Sequence, residues 1–182
     1  MASLKQQLSD LRKKYDILLQ QCRHYQHLST HDPQLHIFNR VAWIEKATAQ
    51  CEKTRQKGQK STVLFLDCDK FGSINKQYGH AAGDDIIKQI LDKVQSVLRK
   101  GATVGRYGGD EILVYIPNAG SVAMSACAGR IVEAVRSLTL GDRNITVSVG
   151  GASGDGTLDR LVNEAEKHMR TAKGQGGDRY SV

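Results

Sequence analysis

The first thirty residues carry apolar side chains at alternating spacings of four and three. Lys, Arg, Gln and Asp fill most of the positions between them. This is the a/d pattern of about three heptads, and it predicts a helix with a narrow seam for a second helix. Ser3 is a candidate N-cap. The alternative is one amphipathic helix lying on its own domain, which would favour a 3.6-residue period and a broader stripe. The seam consists of Leu4, Leu8, Leu11, Tyr15, Leu18, Cys22 and Tyr25.

The pattern changes after Pro33, which disfavours helical backbone at the residue before it and ends the first helix. A second helix is predicted from about Arg40 to Lys57, closed by Gly58. The run "STVLFLDCD" at 61–69 is almost continuously apolar and ends in acid, which is typical of a buried strand with an exposed carboxyl end. Further helices are predicted at about 71–78, 80–99, 120–138 and 157–173, and further strands in "TVGRY", "EILVYIP", "NITVSVGGAS" and "RYSV".

From the first strand onward the predicted order is β-α-α-β-β-α-β-α-β. This order indicates an α/β sandwich with an antiparallel hairpin in its middle. A length of 182 residues suits one domain plus the N-terminal helix. Hydrophobic residues at 40% and charged residues at 25% allow a sizeable core and exclude global disorder.

The composition also excludes several function classes. The sequence has no run of 18 apolar residues and no signal-peptide core at its N-terminus, so we expect a soluble, cytoplasmic protein that does not enter a membrane. The histidines form no metal-ligand set, and His24, His27 and His31 are interpreted as one solvated helical face. Four cysteines lie far apart without a CxxC pair and are expected to be reduced: Cys22, Cys51, Cys68 and Cys127.

The net charge of +7 raises the question of nucleic acid. Residues 1–60 hold 11 Lys and Arg against five Asp and Glu, so most of the excess lies in the N-terminal third. A basic helix is more often a solvated face than a DNA reader, and 5% aromatic residues offer little surface for stacking bases. We therefore expect no nucleic acid partner, while a polyanionic ligand or partner stays open.

Two acidic sites carry the candidate chemistry. Asp67 and Asp69 end the buried strand, and Asp110 with Glu111 lies in the hairpin "RYGGDEI". The strand and the hairpin are plausible neighbours in one sheet, where converging carboxylates would need a cation or protons. Carboxylate oxygens select magnesium or calcium, and two magnesium ions would suit attack of an alcohol on phosphorus.

Each acidic site has a plainer reading when it is taken alone. Gly-Gly-Asp is ordinary hairpin chemistry, and an acidic strand end is often only a solvated rim. Gly108 and Gly109 are expected to provide positive φ and to let the backbone approach a ligand closely. The joint occurrence of both sites in a compatible topology favours catalysis.

Together, "RYGGDEI" and "DCDKFGSINKQYGHAAGDDI" resemble the GGDEF, or diguanylate cyclase, family. "HDPQLHIFNR", "ITVSVGGAS" and "MRTAKGQGG" are similar to its other conserved segments, so the likeness covers about residues 31–182. It implies a palm-like α/β fold with a central, mostly antiparallel sheet flanked by helices, preceded here by a coiled-coil-type helix. It also implies condensation of two GTP molecules into cyclic di-GMP and pyrophosphate.

The resemblance assigns roles to individual residues. Asp67, the Cys68 carbonyl, Asp110 and Glu111 would hold two Mg²⁺ (or Mn²⁺) ions. Asp110 or Glu111 would also help to deprotonate the attacking 3′-hydroxyl. The substrate would be bound by Phe71, by the guanine-reading Asn75 and Asp84, and by Lys173 on the triphosphate. Helix-end capping is the plainer interpretation of Asn75 and Asp84.

The chain also departs from the family pattern. Gly72 and Gly177 stand where the family has a lysine and an arginine, which puts triphosphate affinity in doubt; Arg179 is a candidate substitute. Lys76 replaces an aspartate, Leu35-His36 replaces Thr-Gly, and Ile112 replaces the last phenylalanine of the motif.

An inhibitory product site is implied in degenerate form. Arg99 and Arg130 match its arginines, but Ala102 replaces its aspartate, so product inhibition is expected to be weak.

The sequence therefore predicts a diguanylate cyclase with residues 1–30 as a dimerisation stalk and 31–182 as the GGDEF domain. GTP is the expected substrate, and the N-terminal helix is expected to form a homodimer. No sensory domain is recognised, so control is expected to act through the stalk or a regulatory protein partner. The alternative is a catalytically weak or inactive module that binds GTP or a partner and signals by interaction.

Overall fold

The structure is a computed structural model that describes residues 4–182, except for the side chains of residues 4, 5, 23, 24 and 26–28. The predicted N-cap Ser3 lies outside the described residues. The same holds for the side chains of Leu4, His24 and His27, which were assigned to the seam and to the solvated histidine face.

Two helices precede the sheet. Helix α1 spans Leu4–Thr30, which confirms the predicted N-terminal helix, and helix α2 spans Arg40–Gln56. The Asn39 side chain caps α2 by accepting a hydrogen bond from the Ala42 amide. After α2, Gly58 has a φ of +66°, the left-handed backbone that glycine adopts without strain.

A five-stranded sheet forms the centre of the fold, in the order β2-β3-β1-β6-β7. All neighbouring strands are antiparallel except β6 and β7, so the expected mostly antiparallel sheet is confirmed. Every residue of β1 is buried, as its apolar run predicts. The strands are β1 (Ser61–Cys68), β2 (Thr103–Gly108), β3 (Glu111–Ile116), β6 (Val147–Gly154) and β7 (Arg179–Ser181).

Helices cover both faces of the sheet, because alternate strand residues point to opposite sides. Leu64 and Leu66 pack with helices α3 (Phe71–Tyr78), α4 (His80–Val97) and α5 (Ser121–Val135). Val63 and Phe65 pack instead with α2 and with helix α6 (Leu158–Gly174). The predicted α/β architecture is therefore confirmed.

Some predicted boundaries are wrong. The structure ends α4 at Val97 rather than near 99 and α5 at Val135 rather than near 138. A small hairpin of β4 (Thr139–Leu140) and β5 (Arg143–Asn144) was not predicted. Two-residue strands are too short to show a hydrophobic period, so the sequence offers no signal for them.

Helix α1 exposes its apolar side chains instead of packing them on the domain. Leu8, Leu11, Tyr15 and Leu18 are each about 60% exposed, and Ile17 and Leu19 are exposed as well. The alternative of an amphipathic helix lying on its own domain is therefore not what the described residues show. No described helix is long and apolar enough to span a membrane.

Candidate active site at the β1 and β3 strand ends

The carboxylates of the two acidic motifs meet where β1 ends and β3 begins. Asp67 and Glu111 are register partners on these antiparallel strands, so their side chains leave the same face of the sheet. Asp110 immediately precedes β3, and its negative charge acts on Asp67 and raises the pKa of that carboxyl. The predicted convergence of Asp67, Asp110 and Glu111 is therefore present.

Burial dominates the electrostatics of this cluster. It raises the pKa of Asp67 to about 6, and the nearby Asp110 charge adds to the shift, while the Lys173 ammonium opposes it. Lys173 forms an ion pair with Asp67 Oδ1. The pKa of Glu111 is also raised, first by burial and then by the charges of Asp67 and Glu166. The cluster thus disfavours its own negative charge and favours a bound cation.

The hairpin turn differs from the expectation for its two glycines. Only Gly109 has a positive φ, at +22°; Gly108 remains in β2 and does not. A Cβ on Gly108 would lie 3.1 Å from Glu111 Oε2. Glycine at position 108 therefore lets the Glu111 side chain pack closely against the backbone. The β2–β3 register shifts between Arg106 and Gly108, so the regular strand pairing is interrupted just before the turn.

Arg106 ties this turn to the 31–40 segment. Its Nε and Nη2 donate to the Gly109 carbonyl at 2.9 and 2.7 Å, and its Nη1 donates to Asp32 Oδ2 at 3.0 Å. Both partners of this ion pair are largely buried, with 17% and 15% of their side chains exposed. Hydrogen bonds to a charged group are short and strong, so the ion pair with Asp32 fixes Arg106 and, through it, the position of the hairpin turn.

Asp69 does not join the cluster, although it shares the strand-end motif with Asp67. Its carboxylate accepts hydrogen bonds from the Thr146 hydroxyl (2.7 Å), the Ser148 hydroxyl (2.6 Å) and the Asp178 amide (2.8 Å). These bonds tether the loop after α6 to the sheet. Asp69 is thus a structural residue, and Asp67 is the member of the pair that faces the site.

The same loop explains why no side chain stands at position 177. Gly177 has a φ of +75°, and a Cβ there would lie 2.8 Å from the Asp69 carboxyl group. Arg179, the candidate substitute cation, donates instead to the Gly177 carbonyl (3.1 Å) and to Gln175 (3.5 Å). The structure therefore offers no support for Arg179 as the replacement.

A different lysine lies beside the site. Lys70 and Lys173 line one cavity of about 240 Å³ together with Asp69, Gly176 and Gly177. Lys70 has a left-handed φ of 58° at the start of α3, and no described residue forms an ion pair or a hydrogen bond with its ammonium group. Gly72 and Gly177 supply no charge, so Lys70 is a cation beside this cavity that the motif comparison did not consider.

The predicted base-reading residues lie on the neighbouring helices α3 and α4. Asn75 Oδ1 is buried and has no hydrogen-bond partner among the described residues. It lies against Gly83, where a Cβ would come within 1.9 Å of that oxygen. Asp84, the next residue, accepts a hydrogen bond from Gln34 Nε2 at 2.8 Å. Helix capping is not the role of either side chain, because neither forms a capping bond in the structure.

Two further residues were predicted to belong to the site. Phe71 is half-buried and packs on the core under α3 and α4. Cys68 is the last residue of β1, and burial raises the pKa of its thiol to about 12, so the thiol stays protonated. A metal role for Cys68 therefore concerns only its backbone carbonyl.

The donor set fits a divalent cation that keeps part of its own coordination shell. Among residues 4–182 with described side chains, no group of three or more His, Cys, Asp or Glu side chains is placed to hold a metal ion. Magnesium, however, is commonly held by one or two carboxylates and completed by water and substrate phosphates. Buried Asp67 and neighbouring Glu111, both with raised pKa values, match that requirement.

Comparison with known families decides the identity of this domain. Residues 29–179 match the model of the family described as diguanylate cyclase, GGDEF domain. The chain belongs to the GGDEF family.

Relatives of this GGDEF domain include named cyclases. Diguanylate cyclase A of Treponema denticola is 32% identical over 70% of the chain, and diguanylate cyclase VdcA of Vibrio cholerae is 33% identical over 67%. An uncharacterised protein of Bacillus subtilis, YtrP, is 30% identical over 86% of the chain. The chain spans only 27% to 39% of the length of these relatives.

Solved GGDEF structures share the fold. Diguanylate cyclase SiaD of Pseudomonas aeruginosa, solved with its activator SiaC, matches with a TM-score of 0.78 and 26% identity over 95% of this chain and 69% of SiaD. The coiled coil and GGDEF domain of Caulobacter crescentus DgcB matches over 99% of both chains, with a TM-score of 0.88. At 23% identity, the match to DgcB supports only the fold, which includes a helix before the GGDEF domain.

The two arginines that the resemblance assigns to a degenerate inhibitory site, Arg99 and Arg130, both act on the Cys127 thiol. The positive charges of Arg130 and Arg99 both lower the pKa of Cys127, which burial raises overall, so both guanidinium groups are near that thiol. Arg99 also donates a hydrogen bond to the Pro117 carbonyl. Their role in binding the product stays a prediction.

Proposed function

We propose that this GGDEF domain is a diguanylate cyclase that condenses two GTP molecules into cyclic di-GMP and pyrophosphate. The observation that carries the proposal is the juxtaposition of Asp67 and Glu111 in register at the end of β1, with Asp110 beside them. The named cyclases among the relatives support the same activity.

The carboxylate cluster is the proposed divalent metal site. Asp67, the Cys68 carbonyl, Asp110 and Glu111 would hold Mg²⁺ or Mn²⁺, two ions for each site. When bound, these ions neutralise phosphate charge and favour ionisation of a hydroxyl group. The chain supplies the positioning, because β1 and β3 fix Asp67 and Glu111 through a continuous ladder.

Glu111 or Asp110 would accept the proton of the attacking 3′-hydroxyl. In each half-reaction the 3′-oxygen of one GTP forms a bond to the α-phosphorus of the other. The bond from that phosphorus to the pyrophosphate breaks, and the proton passes to the carboxylate.

The substrate-binding residues are proposed from the surroundings of the cluster. Asn75 and Asp84 would read the guanine edge, whose N–H donors match the unpartnered Asn75 oxygen and the Asp84 carboxylate. Phe71 would border the nucleotide at the start of α3. Lys173 and Lys70 would neutralise the triphosphate across the cavity they share.

Two opposed half-sites are required for a cyclic product, so we propose that α1 forms a homodimer stalk. Its exposed Leu8, Leu11 and Leu18 support this role, because paired helices bury such a seam. A regulatory partner acting on the stalk is also proposed, in line with the complex of SiaD with its activator.

The direct test is product formation. Purified protein incubated with GTP and Mg²⁺ or Mn²⁺ should yield cyclic di-GMP and pyrophosphate, both detected by chromatography and mass spectrometry. ATP under the same conditions should yield no cyclic dinucleotide.

The alternative is a GGDEF module that binds GTP or a partner without turnover. The glycines at 72 and 177 and the pairing of Lys173 with Asp67 favour it. Metal-dependent GTP binding without product, under conditions in which a relative is active, would decide for this alternative.

Cyclic di-GMP should inhibit the enzyme weakly, because Ala102 offers no carboxylate to the guanine edge. Loss of a charged hydrogen-bond partner costs roughly 1.5–3 kcal/mol, so the inhibition constant should rise by at least tenfold when compared with the Ala102→Asp variant. Initial rates at increasing product concentration measure this. Equal inhibition of both proteins, abolished by Arg99→Ala, would contradict the expectation.

A further inference from the structure

The side chain of Gln34 connects the proposed base-reading carboxylate to the catalytic turn. Gln34 Nε2 donates to Asp84 Oδ2 at 2.8 Å, and Gln34 Oε1 accepts from Arg106 Nη1 at 2.9 Å. We propose that Gln34 is a positioning residue that sets nucleobase specificity by holding Asp84 in its guanine-reading orientation. The inference rests on the proposed function of this site.

The amide of Gln34 has only one orientation that satisfies both neighbours. Arg106 offers only donors and therefore faces the amide oxygen, which leaves the NH₂ group toward the Asp84 carboxylate, an acceptor. Flipping the amide would place its NH₂ group against the guanidinium and its oxygen against a carboxylate oxygen. The arginine thus determines which end of Gln34 meets Asp84.

The backbone of Gln34 is fixed as well. Asp32 Oδ1 accepts hydrogen bonds from the amides of Gln34 (3.0 Å) and Leu35 (2.9 Å), while Asp32 Oδ2 accepts from Arg106. The Asp32 amide donates to the Ile37 carbonyl, which closes the turn. A side chain that starts from a fixed turn loses less conformational entropy when it forms its hydrogen bonds.

The Asp84 carboxylate keeps its capacity for a ligand. Gln34 occupies one site of Oδ2, and no described residue hydrogen-bonds Oδ1, so acceptor positions remain for two donors. Guanine presents two adjacent donors, N1–H and the N2 amino group, whereas hypoxanthine lacks the second and adenine lacks both. A fixed carboxylate discriminates among these bases better than one that rotates freely on the helix surface.

Three substitutions separate the roles. Gln34→Leu removes both contacts at similar size. Gln34→Glu keeps an acceptor for Arg106 but loses the donor to Asp84. Gln89→Leu is the matched control, because Gln89 is exposed on the same helix as Asp84 and away from the network. Binding of GTP, ITP and ATP to each protein is measured by calorimetry with Mg²⁺, using non-hydrolysable analogues, alongside thermal unfolding.

We expect Gln34→Leu and Gln34→Glu to weaken GTP binding about fivefold to tenfold and to bring the GTP-to-ITP ratio toward one. ITP binding should weaken less than GTP binding, because hypoxanthine keeps only the N1–H donor. The midpoint of unfolding and the Gln89→Leu control should change little. In an Asp84→Asn background, Gln34→Leu should have no further effect on the ratio.

Different results overturn different statements. An unchanged GTP-to-ITP ratio in both Gln34 variants would overturn the positioning role while leaving the proposed function intact. Tighter GTP binding by Gln34→Leu would show that Gln34 competes with the base, which also overturns it. If the wild-type protein binds no GTP with Mg²⁺ present, the proposed function fails and the inference fails with it.

Discussion

Asp67→Asn should abolish metal-dependent GTP binding and cyclase activity. The substitution keeps the shape of a buried side chain but removes the charge that a divalent ion requires. Changes in the surroundings of metal ligands alone cost about 10–100-fold in affinity, so loss of a ligand should cost at least about a hundredfold. Asp110→Asn should act in the same direction. Calorimetry with Mg²⁺ and a GTP analogue measures binding, and chromatography measures the product.

Asp69→Asn is the matched control for this prediction. It changes the neighbouring carboxylate in the same motif, but Asp69 accepts hydrogen bonds from Thr146, Ser148 and the Asp178 amide and so links the start of β6 to the loop after α6 instead of facing the cluster. It should therefore lower the midpoint of thermal unfolding more than it alters metal affinity. Undiminished metal-dependent binding in both Asp67→Asn and Asp110→Asn would contradict the placement of the site.

Asp67→Asn should also stabilise the metal-free protein at neutral pH. The folded-state pKa of Asp67, about 6, exceeds its unfolded value near 3.8, so the folded state loses stability as pH rises through this interval. Replacing the carboxylate with an amide removes that cost, which is of the order of 1–3 kcal/mol above pH 6. Unfolding in chelator at pH 8 and pH 4 measures it, and a gain that does not shrink at pH 4 would contradict this origin.

Deletion of residues 1–28 should leave a folded, GTP-binding domain that condenses GTP slowly at low concentration. The cut preserves Ser29 and Thr30, whose carbonyls accept hydrogen bonds from the Asn39 side chain (2.7 Å) and amide (2.9 Å). Each leucine buried in a paired seam contributes roughly 1.5–3 kcal/mol, so the stalk supports a modest dimer. Without it, the two half-sites meet only by diffusion.

The measurement is the rate per subunit as a function of protein concentration. Tethering gives an effective concentration of about millimolar, so at nanomolar protein the truncated chain should be at least tenfold slower, and its rate should rise with concentration. A full-length Leu11→Gln, Leu18→Gln variant keeps the helix and should behave like the deletion. Equal rates for the full and truncated chains at nanomolar concentration would assign the stalk another purpose.

The residues of the carboxylate cluster could be predicted from the sequence, and so could the order of the main elements. The motifs around 67–84 and 106–112 are local in the chain, and a buried apolar run that ends in aspartate reports a strand end directly. The spacing of four and three in α1 likewise needs no tertiary information, because helical periodicity alone produces it. Dimerisation through that seam stays a prediction.

Tertiary structure alone decided what the side chains around the motif do. Asp67 and Asp69 look equivalent in the sequence, yet β1 ends at Cys68, so Asp69 lies beyond the strand, where residues of β6 and of the loop after α6 bind its carboxylate. Asp67 stays in register with Glu111 and faces the site. Asp84 and Gln34 are 50 residues apart, and only the packing of the 31–40 segment against α4 and β2 brings them into contact. Hydrogen bonds between such distant residues leave no local pattern in one sequence, because they depend on where the folded backbone places each group.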